Sequence, residues 1–167
     1  MPWHVLGKLY AVASTSATGG LAGFFDDLVR CETRLYNAVG ERLRAEHGIV
    51  TSQFELLRYL RDHPGCRVAE VAATFAIGIG AISKMMDRLE SRGWAARLPN
   101  PADRRSSLLS LTPSGTALVA EAERTFHDSL GDLISSAVGT GRLHAAADAL
   151  AALRQALERD RVGIPVG

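Results

Sequence analysis

Residues 98–115 read LPNPADRRSSLLSLTPSG and hold the densest chemistry in the chain, which is ionic. Arg104 and Arg105 are adjacent, with Asp103 just before them. A guanidinium stays charged at any ordinary pH and presents a planar fork of donors that matches phosphate oxygens. Upstream, Lys84 and Arg88 stand four apart, a spacing that puts both on one face of a helix. Between positions 78 and 105 the basic residues are Lys84, Arg88, Arg92, Arg97, Arg104 and Arg105, and the acidic ones are Asp87, Glu90 and Asp103. That is a local excess of +3 in a chain whose formal net charge is only +1, so the remainder is net negative. Positive charge concentrated in this way attracts a polyanion.

Other chemistries lack their residues. There is no Gly-x-Ser-x-Gly, no His-Glu-x-x-His, no phosphate loop and no paired cysteine motif. His4, His47, His63, His127 and His144 stand singly. The chain is therefore not expected to be an enzyme or to need a cofactor. A metal-sensing variant would draw on Cys31, Glu32, Glu41, His47 or His127, and none of these has ligand spacing. Cys31 and Cys66 fit neither a CxxC nor a Cys/His pattern. They read as reduced thiols packed as small apolar groups, which suits the cytoplasm. No apolar run reaches membrane-spanning length. The first nineteen residues look superficially like a signal peptide, but Gly7 and Lys8 interrupt the apolar part, so 1–19 is expected to be an extension, flexible or docked on a partner.

Helices must hold these charges in place. With 47% hydrophobic and only 6% aromatic residues over 167 positions, aliphatic helix packing has to supply the core of one domain, or of two small packed ones. After Gly20, the spacing of Leu21, Phe25, Leu28, Leu35, Val39 and Leu43 predicts a long helix ending near Gly48. Ser52 with Glu55 three later predicts a capping box for a second helix, striped by Phe54, Leu57 and Leu60 and stopped by Pro64-Gly65. A short third helix turns Val68, Val71, Ala72 and Phe75 inward. Gly78-Ile79-Gly80 lacks the Lys-Ser/Thr of a phosphate loop and is expected to free the turn into a fourth helix, closed by Gly93. WAARL and SSLLSLT predict a two-stranded hairpin. Thr112 caps a fifth helix with Pro113 at its first position. Leu143, Ala146, Leu150, Leu153 and Leu157 stripe a final one.

The expected fold is mainly α with a small β-hairpin. Helix, short turn, helix and then hairpin is the order of a winged helix-turn-helix. On the fourth helix Ile82, Met85, Met86 and Leu89 face inward, while Gly80, Lys84, Asp87, Arg88 and Ser91 face out. Small residues at its start (Gly80, Ala81, Ser83) followed by donors (Lys84, Arg88) suit entry into a DNA major groove. Pro99 and Pro101 stiffen the hairpin turn, and Asp103 is expected to bond or ion-pair with Arg105. An arginine raised on such a wing fits phosphate and the minor groove. The candidate DNA-binding set is therefore Gly80, Ala81, Ser83, Lys84, Arg88, Asp103, Arg104 and Arg105.

DRRSSLLSLTPSG resembles the wing signature of the MarR family of winged helix-turn-helix regulators, Asp-x-Arg followed by a strand ending Leu-Thr-x-x-Gly. ISKMMDRLESRGW is similar to that family's recognition helix and TSQFELLRYL to its second helix, so the resemblance covers roughly 20–160. It implies a homodimeric transcription factor, a repressor, on double-stranded DNA, with a small and often aromatic effector. Asp103 and Arg105 would take the wing positions, 51–112 would bind DNA, and 20–50 with 113–160 would dimerise. The usual Ser-Pro-Ser-like start of the recognition helix is replaced by Gly78-Ile79-Gly80. Trp94 stands where an aliphatic residue is common and is expected to pack under the wing. Cys31 and the TSQF stretch do not match the peroxide-sensing branch, so that chemistry is not expected. The competing reading is a winged-helix module for protein–protein assembly without DNA, which requires an apolar outer face on the fourth helix.

Overall fold

Apolar periodicity and punctuation place the elements where the sequence predicts them. In the computed structural model, which describes residues 20–165, six helices and one antiparallel hairpin follow in order: α1 Leu21–His47, α2 Thr51–Asp62, α3 Val68–Thr74, α4 Ile79–Ser91, β1 Ala95–Pro99, β2 Ser107–Leu111, α5 Pro113–Ile134 and α6 Thr140–Arg159. The expected extension at 1–19 lies outside the described residues. The chain divides into two units, positions 1–34 and 35–167. In the first, the start of α1 leaves Leu21, Phe24, Phe25 and Val29 exposed.

The second unit contains the core. Leu56, Leu57 and Leu60 of α2, Val71 and Ala72 of α3 and Ile82, Met86 and Leu89 of α4 close around Leu109 of β2 and Val119 of α5. Val39 and Leu43 from the end of α1 join Ile49, Phe54 and Ala122 in a second cluster, and Trp94 and Leu118 pack against both. Trp94 therefore packs as expected. The α6 stripe is different. No residue of α6 is buried, and Leu150, Leu153 and Leu157 remain exposed.

Two local expectations are corrected. The start of α2 is not a Ser52/Glu55 box: the N-cap is Val50, whose backbone N–H donates to Gln53 Oε1 at 3.1 Å. Ser52 already lies inside the helix, while Thr51 is buried and donates its hydroxyl to the Tyr36 carbonyl at 3.1 Å. Nor do the glycines free the α3–α4 turn. Gly78 sits at φ −61°, open to any residue, and the left-handed position is Ala76 at φ 50°. A side chain there costs energy that glycine would avoid.

The hairpin is fixed at its base by backbone bonds. Leu109 N–H donates to the Cys66 carbonyl at 2.8 Å, and Gly65 N–H to the Leu109 carbonyl at 3.0 Å. Burial pushes the Cys66 thiol up from its ordinary value, as for a sulfur packed among apolar groups. The exit into α5 explains the Thr-x-x-Gly spacing. Thr112 Oγ1 accepts from Gly115 N–H at 3.1 Å and donates to the Gly93 carbonyl at 2.6 Å, while Thr112 N–H donates to the Trp94 carbonyl at 3.1 Å. Gly115 lies so close that an added Cβ would stand 1.8 Å from that same Trp94 oxygen. Only glycine fits.

Candidate nucleic-acid interface

Helix α4 begins at an N-cap, Gly78, that offers no side-chain bond, and its first turn carries one exposed apolar side chain, Ile79. Gly80 and Ala81 are exposed, and a Cβ built on Gly80 meets nothing within 4 Å. Lys84, Asp87 and Arg88 follow on the exposed face, while Ile82, Met86 and Leu89 are buried and Met85 half-buried, as the helical phase requires. An apolar outer face, which protein–protein assembly would need, is not what α4 presents. Ser83 is placed differently from its neighbours. It is half-buried, and its hydroxyl lies 3.4 Å from Nη2 of Arg97 on β1, so it faces the hairpin.

Side chains shape the hairpin tip. Asn100 Oδ1 accepts from Ala102 N–H at 3.0 Å, and its Nδ2 donates to Ser106 Oγ at 2.8 Å. Asp103 Oδ1 accepts from the backbone N–H of Arg105 at 3.0 Å. The expected partnership of Asp103 and Arg105 therefore exists, but through the main chain. It closes a turn of the Asx kind and leaves the Arg105 guanidinium outside it. Asp103, Arg104 and Arg105 are all exposed.

The acids and bases of this segment are sorted by place. Arg97, one of the six basic residues that make the segment positive, is turned inward. Its guanidinium pairs with Asp87 at 2.9 Å and with Glu90, and donates to the Ser83 carbonyl at 3.0 Å. Arg92 lies over the Trp94 ring, 5.1 Å from its centroid. Lys84, Arg88, Arg104 and Arg105 have no ion-pair partner among the described residues. Each acid of the segment is engaged, Asp87 and Glu90 by Arg97 and Asp103 by backbone. The surface left over offers Ile79 and small groups, then cations. A surface of this kind can hold phosphates and donate to base edges.

Sequence reasoning missed Arg97 and Asn100. Arg97 counted only as a charge, although its place in the middle of a strand next to a helix carrying Asp87 and Glu90 was a readable signal. Asn100 between two prolines was a turn residue with a mechanism. Elsewhere, the candidate metal ligand His47 is bonded to Thr125 Oγ1 at 2.9 Å. No group of three His, Cys, Asp or Glu among the described residues could hold a metal ion. No single described helix is long and apolar enough to cross a membrane.

A family model described as the MarR family matches residues 49–107. The multiple antibiotic resistance protein MarR of Salmonella typhimurium is 36% identical over 76 residues, covering 46% of this chain and 53% of that protein. The chain thus spans about half the length of the curated relatives it matches. Among solved structures, the transcriptional repressor CouR bound to a 23-mer DNA duplex superposes with a TM-score of 0.73 at 28% identity, over 84% of this chain and 99% of that one. A MarR-family regulator of Streptomyces coelicolor in complex with DNA shares the fold, with a TM-score of 0.78 at 19% identity over 92% of this chain and 97% of its own.

Proposed function

We propose that the chain, whose residues 49–107 match the MarR family model, is a MarR-family sequence-specific DNA-binding transcriptional regulator. It acts as a repressor, a homodimer on a pseudo-palindromic operator, in the cytoplasm and without enzymatic activity. The observation that carries this reading is the sorting of charge: Lys84, Arg88, Arg104 and Arg105 are exposed without acidic partners among the described residues, while Asp87 and Glu90 are held by Arg97. Helix α4 is the recognition helix. Gly80 and Ala81 let its backbone approach the major groove, Lys84 and Arg88 reach base edges or phosphates, and Ser83 braces the helix against the hairpin. Arg104 and Arg105 on the wing grip phosphate and minor groove, with Asp103 holding the tip in shape. Residues 51–112 form the DNA-binding domain, and 20–50 with 113–160 the dimerisation region.

A dimer places two recognition helices roughly 34 Å apart, one turn of duplex. A small effector that binds better to a dimer with another spacing releases DNA, and by reciprocity binds less well to the DNA complex. The test begins with duplexes retained by the full-length protein from a random pool. Fluorescence anisotropy then compares the selected duplex with random DNA over a salt series. Arg104→Ala weakens both alike and makes the salt slope shallower by about 2 for a dimer with one phosphate contact per subunit. Lys84→Ala costs the selected duplex about 1–3 kcal/mol more per half-site than random DNA, if it reaches a base. If both variants leave both affinities unchanged with the dimer intact, the DNA reading is wrong.

A further inference from the structure

We infer that Arg97 is the positioning residue that fixes the wing against α4, so that helix and hairpin meet a duplex as one rigid body. The inference rests on the DNA-binding reading above. Apolar packing holds only the base of the hairpin. Along β1, Ala95 is buried, Ala96 and Arg97 are half-buried, and Leu98 and Pro99 are exposed, Leu98 at 48%. A two-stranded hairpin is marginal without support. Leu109, buried and bonded to Gly65 and Cys66, anchors β2, and its ladder partner Arg97 anchors β1.

Its guanidinium reaches two turns of α4 at once. Nη2 donates to the Ser83 carbonyl at 3.0 Å and pairs with Asp87 at 2.9 Å, and Nη1 pairs with Glu90. Glu90 Oε1 also accepts from the Arg97 backbone N–H at 2.8 Å, so strand and side chain are held together. The Arg97 and Glu90 side chains are only 24% and 30% exposed, which keeps salt from screening the pair as it would on open surface. Asp87, at 64%, contributes less. The planar fork makes this possible, and an ammonium cannot reach all three partners from one position.

The clamp sits at the base of a lever. At about 3.3 Å per residue the strand runs on roughly 10 Å from Arg97 to its turn, so a tilt of about 15° moves the tip by about 2.6 Å. That is enough to break a hydrogen bond to a phosphate, whose useful range is about half an ångström. Arg104 and Arg105 therefore depend on Arg97 to hold the β1 side of the hairpin while Leu109 holds the β2 side. By this inference Arg97 itself touches no DNA.

The experiment is a double-mutant cycle in the full-length protein on the duplex selected by the wild type, read by anisotropy. Arg97→Met keeps the stem and weakens binding about tenfold or more. In that background Arg104→Ala loses at least half of the fold-effect it has alone, because the wing is no longer aimed. Arg97→Lys, which keeps the charge but not the three-way reach, reduces the Arg104 effect in the same way and guards against a misfolded Met variant. Hydrogen exchange without DNA gives a second readout, with faster exchange at Arg97 and Leu108 while Leu109, bonded to Cys66, and the amides of α2 stay protected. Additive effects of Arg97→Met and Arg104→Ala overturn the inference. So does full rescue by Arg97→Lys together with a salt slope shallower by about 2 in Arg97→Met, the mark of a direct phosphate contact. If the wild type retains no duplex at all, the DNA reading has failed before any variant is compared, and this inference falls with it.

Discussion

Replacing Gly115 by alanine tests whether the joint between wing and α5 is as close as the structure has it. The new Cβ would stand 1.8 Å from the Trp94 carbonyl oxygen and 2.8 Å from its carbon, both of them backbone atoms that cannot rotate away. To reach even 3.0 Å from the oxygen, the start of α5 and the Trp94 peptide must part by more than 1 Å. Three hydrogen bonds cross that gap: Thr112 N–H to Trp94 at 3.1 Å, and Thr112 Oγ1 and Ser114 Oγ to Gly93 at 2.6 and 2.7 Å. Overpacking of this sort costs about 1–3 kcal/mol, and each weakened bond about 0.5–1.5 kcal/mol. Alanine returns about 1 kcal/mol through helix propensity. The net loss is on the order of 3 kcal/mol, which for a chain of this size lowers Tm by roughly 6–12 °C. Thermal melting followed by circular dichroism, at one fixed protomer concentration, measures it. A drop below about 2 °C would mean that the two backbones do not touch, and the account of the Thr-x-x-Gly spacing would fail.

Gly80→Ala is the opposite case: with open space around the site, it raises stability by up to about 1 kcal/mol yet weakens DNA binding, and unchanged binding would show that α4 does not meet the groove at that point. The Arg61 guanidinium holds the Glu123 carboxyl below its ordinary 4.5, so the stability it contributes is complete above that value and disappears as pH falls through and below it. Glu123→Gln therefore lowers the denaturant midpoint at neutral pH and flattens the acid limb, and a limb as steep as the wild type's would refute the assignment. The exposed α1 and α6 stripes, with Leu21, Phe25, Leu150, Leu153 and Leu157, predict a stable homodimer in sedimentation velocity at micromolar concentration; a monomer would leave those faces unexplained.

The elements were legible because each is set by local signals. Pro64-Gly65 stops α2 at Asp62, Gly93 turns left-handed at φ 70° just past α4, and Thr112-Pro113 starts α5 with the expected cap bond. Short-range rules govern all three. The start of α2 was misread because two caps competed within four residues, and the choice went to Gln53 reaching back to a valine whose own side chain can bond nothing. Ala76 was invisible for a related reason. A left-handed turn advertises itself when glycine fills it, and here the chain tolerates alanine while nearby Gly78 takes an ordinary angle. The α1 stripe was read correctly as a pattern, but a pattern does not say who covers it. Val39 and Leu43 are buried within the chain, and Leu21 and Phe25 are not.

The candidate site shows the same boundary between counting and placing. Sequence alone gives a local +3, and pairing Arg97 with Asp87 and Glu90 does not change that sum. At distances beyond a Debye length, about 8–10 Å in ordinary buffers, only the sum matters, and it steers a polyanion weakly and in a salt-dependent way. At contact distance the placement matters instead. With Arg97 turned inward, the negative ends of Asp87 and Glu90 are drawn to the hairpin side of α4. Asp103 is drawn to a backbone amide, and four cations are left without an ion-pair partner among the described residues. An arginine that looks like one more DNA ligand in the sequence is therefore worth more as the residue that holds Glu90 against the hairpin and neutralises the exposed Asp87. Its neighbours then meet phosphate without first breaking an ion pair.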